Sequence, residues 1–150
     1  LRGGTENTPG DAAMAKAIRL MKEKETVTVQ REREVKQRIM DHIKGFPHVK
    51  IFSKNDAGFA PHILCFAIVG VRGETVVHAF EDRGIYLSTT SACSSKKDTE
   101  PSTLSAMKVP QNVAECAVRV SLGDQNTLTE AEQFNQTFDE LYAGFKKILD

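Results

Sequence analysis

The run Ile63-Leu64-Cys65-Phe66-Ala67-Ile68-Val69 is apolar at every position, with charged segments on both sides. It is far shorter than the roughly 20 residues a helix needs to cross a bilayer. A short continuous apolar run bounded by polar sequence is the pattern of a strand buried inside a sheet. The segment His62 to Val69 therefore predicts a central strand, and the remaining elements must cover it.

Those elements are legible in outline. Thr8-Pro9 ahead of an Ala-rich run starting at Asp11 marks a helix start, because proline fits the first turn, where no donor is needed. A second helix is expected from about Val29 to Lys44, with Val35, Ile39, Met40 and Ile43 on one stripe and Gly45 as its stop. Val49 to Phe52 reads as a short strand and Asn55 to Gly58 as a turn. Thr75 to Asp82 reads as a helix stopped by Gly84, and Ile85 to Leu87 as a further strand. From Ser88 to about Gln111 regular structure fades, apart from a helical hint at Ser102 to Met107. Cys116, Val118, Val120 and Leu122 alternate with Ala117, Arg119 and Ser121, the signature of a half-buried strand. Thr127 and Glu130 fit a capping box, opening a helix with Phe134, Phe138, Leu141, Phe145 and Ile148 on one face. Strands interleaved with helices over a small sheet imply an α/β or α+β two-layer fold.

Composition narrows the functional classes. The 150 residues are 40% hydrophobic and 27% charged, which suits one soluble domain with its own core. Twenty basic and twenty acidic residues cancel, so no direct nucleic acid or membrane partner is expected. Three cysteines without C-x-x-C spacing fit neither a disulfide framework nor structural zinc, and point to a reducing, cytoplasmic setting. The sequence begins with Leu and runs straight into Arg2-Gly3-Gly4, so it is expected to be a piece of a longer protein without a signal peptide.

Chemistry concentrates at three positions. Cys93 lies in the polar, small-residue run Ser88 to Ser95, with Lys96 and Lys97 downstream. Nearby cations favour the reactive thiolate, although exposed charges are screened. No histidine in the segment serves as a base, and the length of the connection suits a mobile thiol carrier better than a fixed nucleophile. A surface thiol in a flexible segment is the plain alternative. Thr5, in Arg2-Gly3-Gly4-Thr5-Glu6-Asn7, precedes a helix start where free N–H groups favour phosphate, or it belongs to a simple glycine turn with a cap. Arg119 is either a solvated strand charge or a bidentate fork for a carboxylate. His42, His48, His62 and His78 are scattered without metal spacing, so no metal site is expected. Cys65 and Cys116 read as inert core thiols.

Four motifs, in this order and spacing, resemble the NifS/IscS-type cysteine desulfurases of the class V pyridoxal-phosphate (PLP) enzymes: Arg2 to Asn7, Pro61-His62-Ile63, Ser91-Ala92-Cys93-Ser94-Ser95, and Val118 to Gly123. The long connection after Cys93 is similar to the NifS/IscS branch, since the SufS-like branch has a shorter one. The resemblance implies the C-terminal domain of a fold-type I PLP enzyme, a small, mostly antiparallel sheet flanked by helices. Residues 1–46 then form the end of a large domain with interdomain helices, and 47–150 the small domain, with the Cys93 loop at about 88–111.

The resemblance also implies a reaction. L-cysteine yields alanine, and its sulfur remains as a persulfide on Cys93 for an acceptor such as an iron–sulfur scaffold or a tRNA-thiolation enzyme. Arg119 matches the residue that pairs with the substrate carboxylate. Thr5 matches the hydroxyl that reaches the PLP phosphate of the neighbouring subunit of a homodimer. The Schiff-base lysine of the family lies in a Ser-x-His-Lys pattern, which this sequence lacks. The chain alone is therefore expected to be inactive. A non-catalytic sulfur carrier or docking module, and a selenocysteine lyase or class V aminotransferase, are the alternatives.

Overall fold

The computed structural model describes residues 3–4, 6–89 and 103–149. Nine elements follow in order: α1 (Thr8–Ile43), β1 (Val49–Ile51), β2 (Ile63–Ile68), α2 (Gly73–Glu81), β3 (Ser88–Thr89), α3 (Thr103–Ala106), α4 (Gln111–Ala114), β4 (Ala117–Ser121) and α5 (Leu128–Leu149). The strands form one antiparallel sheet in the order β1-β2-β4-β3. The fold is thus the helix-flanked antiparallel sheet expected from the sequence, with the apolar run as the inner strand β2.

Strand alternation divides the sheet into two unlike faces. Leu64, Phe66 and Ile68 of β2 and Val118 and Val120 of β4 point to one side, all nearly inaccessible to solvent. That face packs under α1, α2 and α5 in a single apolar cluster. α5 contributes Phe134, Phe138 and Tyr142 at helical spacing. Phe138 lies at the centre of an aromatic group, its ring centroid 5.1 Å from Phe46, 6.0 Å from Phe66 and 5.8 Å from Tyr142. The other face carries the small residues Ala67 and Ala117 side by side, covered by Leu104 of α3 and by Cys116.

Local signals explain the element ends. The capping box forms as expected: Thr127 N–H donates to Glu130 Oε2 at 2.7 Å, and Glu130 N–H donates to Thr127 Oγ1 at 3.3 Å. That contact holds the Glu130 carboxyl below its usual range, the backbone N–H of Thr127 contributing most. Asn7 caps α1 by accepting from Gly10 N–H. Gly73 opens α2 against the chain entering β4: its N–H donates to Glu115 O at 2.9 Å, and a Cβ there would stand 2.7 Å from Ala117 O. Only glycine permits that approach.

Three expectations are corrected. The two helices anticipated before residue 45 are one 36-residue helix, α1. The charged run between them contains no Gly or Pro, and Arg19–Glu23 and Lys22–Glu25 pair along the exposed surface at helical spacing, so nothing interrupts the turns. The strand expected at Ile85 to Leu87 falls instead at Ser88–Thr89, where pairing with Val118 and Arg119 of β4 fixes it. Within the span 88–111, where regular structure was expected to fade, β3 occupies Ser88–Thr89; the helical hint at Ser102 to Met107 is met by α3 at Thr103–Ala106, and residues 90–102 lie outside the described residues. α4, starting at Gln111 behind Pro110, was not foreseen.

Phe138→Ala removes the centre of the aromatic group. It should cost about 3–5 kcal/mol of folding stability, the usual range for emptying a buried aromatic site, and lower the urea midpoint accordingly. A loss below about 1 kcal/mol would show that the cluster does not hold the helices on the sheet.

Candidate active site around Arg119

Arg119 stands on the sheet face opposite the main core. It is solvent-accessible, between buried Val118 and Val120. The register of β2 against β4 sets it directly beside Cys65, and β3 places Ser88 on its other side. A strand with neighbours on both sides fixes the backbone that carries the guanidinium. Among the described residues no carboxylate forms an ion pair with it.

Arg119 and Cys65 line a cavity of about 300 Å³. Phe52, Phe59, Ile63, Leu104 and Met107 form its apolar walls. The volume suits a small molecule, and one cation among apolar walls, as the described residues have it, favours an anion with a short carbon skeleton. The guanidinium presents its donors as a planar fork that matches a carboxylate.

The β1–β2 connection supplies part of the cavity wall, through Phe52, Ser53, Gly58, Phe59 and Ala60. Phe52 N–H donates to Cys65 O at 2.9 Å, extending the ladder by one bond beyond β1. Cys65 N–H then donates to Ser53 Oγ at 2.9 Å, so a side chain ends the pairing. The loop turns at Asp56, whose carboxylate accepts from Gly58 N–H at 2.9 Å. From there Phe59 and Ala60 return along the cavity to β2.

The sequence signals fare differently here. Arg119 lies on β4 at the edge of a cavity. Cys93 and Thr5 lie outside the described residues. Cys116 is buried, and its thiol donates to Asn112 O at 3.3 Å, as befits a core thiol. Cys65, read as a core residue, is half-buried and belongs to the cavity instead. Burial pushes its thiol up to about 11, and the Arg119 charge pulls the other way. His62 is exposed at the turn before β2. Among the described residues no group of three or more His, Cys, Asp or Glu is placed to hold a metal ion, and no helix is long and apolar enough to cross a membrane.

Sequence reasoning missed Lys36 and Ser53. Lys36 belongs to the apolar stripe of α1, three, four and seven residues before Ile39, Met40 and Ile43. It is fully buried. Its ammonium donates to Lys54 O at 2.8 Å and Ala60 O at 2.9 Å, one carbonyl at each end of the cavity loop. Burial first, and Arg33 second, lower its pKa, while Asp56 opposes them. A cation inside an otherwise apolar stripe was the available signal. Ser53 gave none, because its role depends on where β1 stops.

The described residues do not by themselves make a pocket for PLP. Among the described residues no lysine lines the Arg119 cavity, and the buried Lys36 is committed to two carbonyls. An imine partner and a phosphate cup are both missing from this donor set.

The fold of helices on a small antiparallel sheet is shared with known proteins. The chain belongs to the class V aminotransferase family, whose family model (Aminotransferase class-V) matches residues 1–134. A NifS/IcsS protein homolog of Lactobacillus delbrueckii subsp. bulgaricus is 54% identical over 99% of this chain, which spans 38% of that relative. Cysteine desulfurase IscS of Dictyoglomus turgidum is 34% identical over 98% of the chain, which spans 36% of it. Among solved structures, a NifS-like protein superposes with a TM-score of 0.79 at 24% identity, over 95% of this chain and 36% of that one. The apo cysteine desulfurase of Thermococcus onnurineus NA1 gives a TM-score of 0.71 at 21% identity, over 95% and 33%. The chain therefore spans little more than a third of the relatives it matches.

A thiol pushed up to about 11 is far less ionised at pH 8 than one at 9.0. Cys65 should accordingly react with iodoacetamide about a hundredfold more slowly than an unperturbed thiol at that pH, read by mass mapping of its peptide. Its contribution to stability is complete below pH 9, where folded and unfolded thiols are both protonated. It falls as pH rises toward 11, because the unfolded thiol ionises first. Rapid labelling of Cys65 at pH 8 would contradict the burial argument.

Proposed function

We propose that this chain is the C-terminal part of a PLP-dependent cysteine desulfurase, with residues 1–46 closing the large domain and 47–150 forming the small domain. The observation that carries the reading is Arg119: a carboxylate fork on a fixed strand, free of carboxylate partners among the described residues and facing a cavity sized for a small amino acid. The similarity to a NifS/IcsS homolog along 99% of the chain supports it, since the four motifs also occur in the family's order.

In this reading Arg119 binds and orients the carboxylate of L-cysteine, and the apolar walls exclude water around the short side chain. The Cys93 thiolate attacks the substrate sulfur. A sulfur–sulfur bond forms, the carbon–sulfur bond breaks with its electron pair left on carbon, and protonation there gives L-alanine. The persulfide stays on Cys93 for an acceptor serving iron–sulfur cluster assembly or tRNA thiolation, in the cytoplasm. PLP would supply the electron sink, held by a lysine of the large domain. Thr5 reaches the cofactor phosphate of the partner subunit, which makes the enzyme a homodimer.

Mass spectrometry of the full-length protein after L-cysteine treatment tests this. A reductant-sensitive gain of one sulfur on the Cys93 peptide is expected, and Cys93→Ala should abolish alanine formation. The isolated chain, given PLP and cysteine, should release neither alanine nor sulfide. Retained cysteine desulfuration in Cys93→Ala would overturn the persulfide role. Transamination that survives it would favour a class V aminotransferase instead.

A further inference from the structure

A lysine is a costly way to fill a core position. Moving an ammonium out of water carries a penalty of several kcal/mol, which only well-placed hydrogen bonds offset. At position 36 an apolar residue would continue the stripe of Val35, Ile39 and Ile43 without that penalty. The partners of the ammonium explain why a cation stands there. Lys54 O and Ala60 O are the two ends of the β1–β2 loop, and Ala60 O also accepts from Ile63 N–H as β2 begins.

The same helix holds the middle of the loop. Asn55 Nδ2 donates to Arg33 O and to Gln37 Oε1, both at 3.0 Å, and Arg33 Nη1 donates to Asp56 O at 3.1 Å. Three neighbouring residues of α1 thus grip one loop, and that loop lines the same cavity as Arg119 through Gly58, Phe59 and Ala60. Among the described residues, Phe52, Ser53, strands β2 and β4 and the segment Thr103 to Met107 complete the lining.

We propose that Lys36 is a positioning residue: by tying both ends of the 54–60 loop to α1, it fixes the wall of Phe59 and Ala60 against Arg119 and so sets how tightly a small carboxylate substrate is held. The proposal rests on the reading of Arg119 as the carboxylate fork. Lys36 touches no substrate in this arrangement. Its effect falls on binding before the chemical step, so KM responds and kcat does not.

The test uses the full-length protein with L-cysteine, and compares Lys36→Met, Lys36→Arg and Arg119→Ala. Lys36→Met should raise KM about tenfold with kcat changed less than twofold, and speed amide exchange of residues 54–60 about tenfold. Lys36→Arg, which keeps the donors, should recover most of both. Should Lys36→Met fail to fold, Asn55→Ala loosens the same loop from an accessible position and should raise KM about threefold. Unchanged KM in Lys36→Met, or in Asn55→Ala where that variant decides, overturns the positioning role, as does an equal loss in kcat and kcat/KM. Arg119→Ala separates the two readings. If it leaves KM for cysteine unaltered, the fork reading fails and takes the proposal with it. If it raises KM while Lys36→Met does not, only the positioning role falls.

Discussion

The pairing of β2 with β4 is the constraint on which the rest of the structure depends. Strand side chains alternate, so one register places Leu64, Phe66, Val118 and Val120 on the core face and Cys65 and Arg119 on the other. A slip of one residue would drive the arginine into the aromatic cluster and expose the valines. The energy that holds the register is apolar burial on the core side. Its consequence on the opposite side is an arginine carried at a fixed strand position, beside a thiol that burial pushes up to about 11.

The two faces also differ in how they are covered. On the core face long helices bring large rings, and Phe80 stacks on Phe134 at 5.0 Å. On the site face Ala67 and Ala117 leave room for the short helix α3, whose Leu104 covers part of the sheet and part of the cavity. Small residues at that point let a lightly built element approach the strands. The cavity lies where this thin cover meets the β1–β2 loop.

Much of this was legible in the sequence, for local reasons. The phenylalanines of α5, the capping box at Thr127 and the alternation around Arg119 are short-range patterns, and each appears in the fold where its spacing placed it. The continuity of α1 was not legible, because its charged middle carries no apolar periodicity, although nothing there breaks a helix. β3 was misplaced because two residues become a strand only by pairing with a distant one. The neighbourhood of Cys65 and Arg119 is likewise non-local, requiring the register of two strands far apart in the chain. Lys36 was visible only as a cation out of place, and its loop partners were not.

The length of α1 has a mechanical consequence. Its last turns, from Val35 to Ile43, are embedded in the core, while Met14, Ile18, Leu20 and Met21 are exposed along its first half. At 1.5 Å per residue, a tilt of about 5° around Ile43 moves the start of the helix by roughly 4–5 Å but the Lys36 backbone by only about 1 Å. The length of the helix therefore scales movement down: a large excursion at its N-terminal end would reach the Arg119 cavity only as a small displacement of the loop that Lys36 ties.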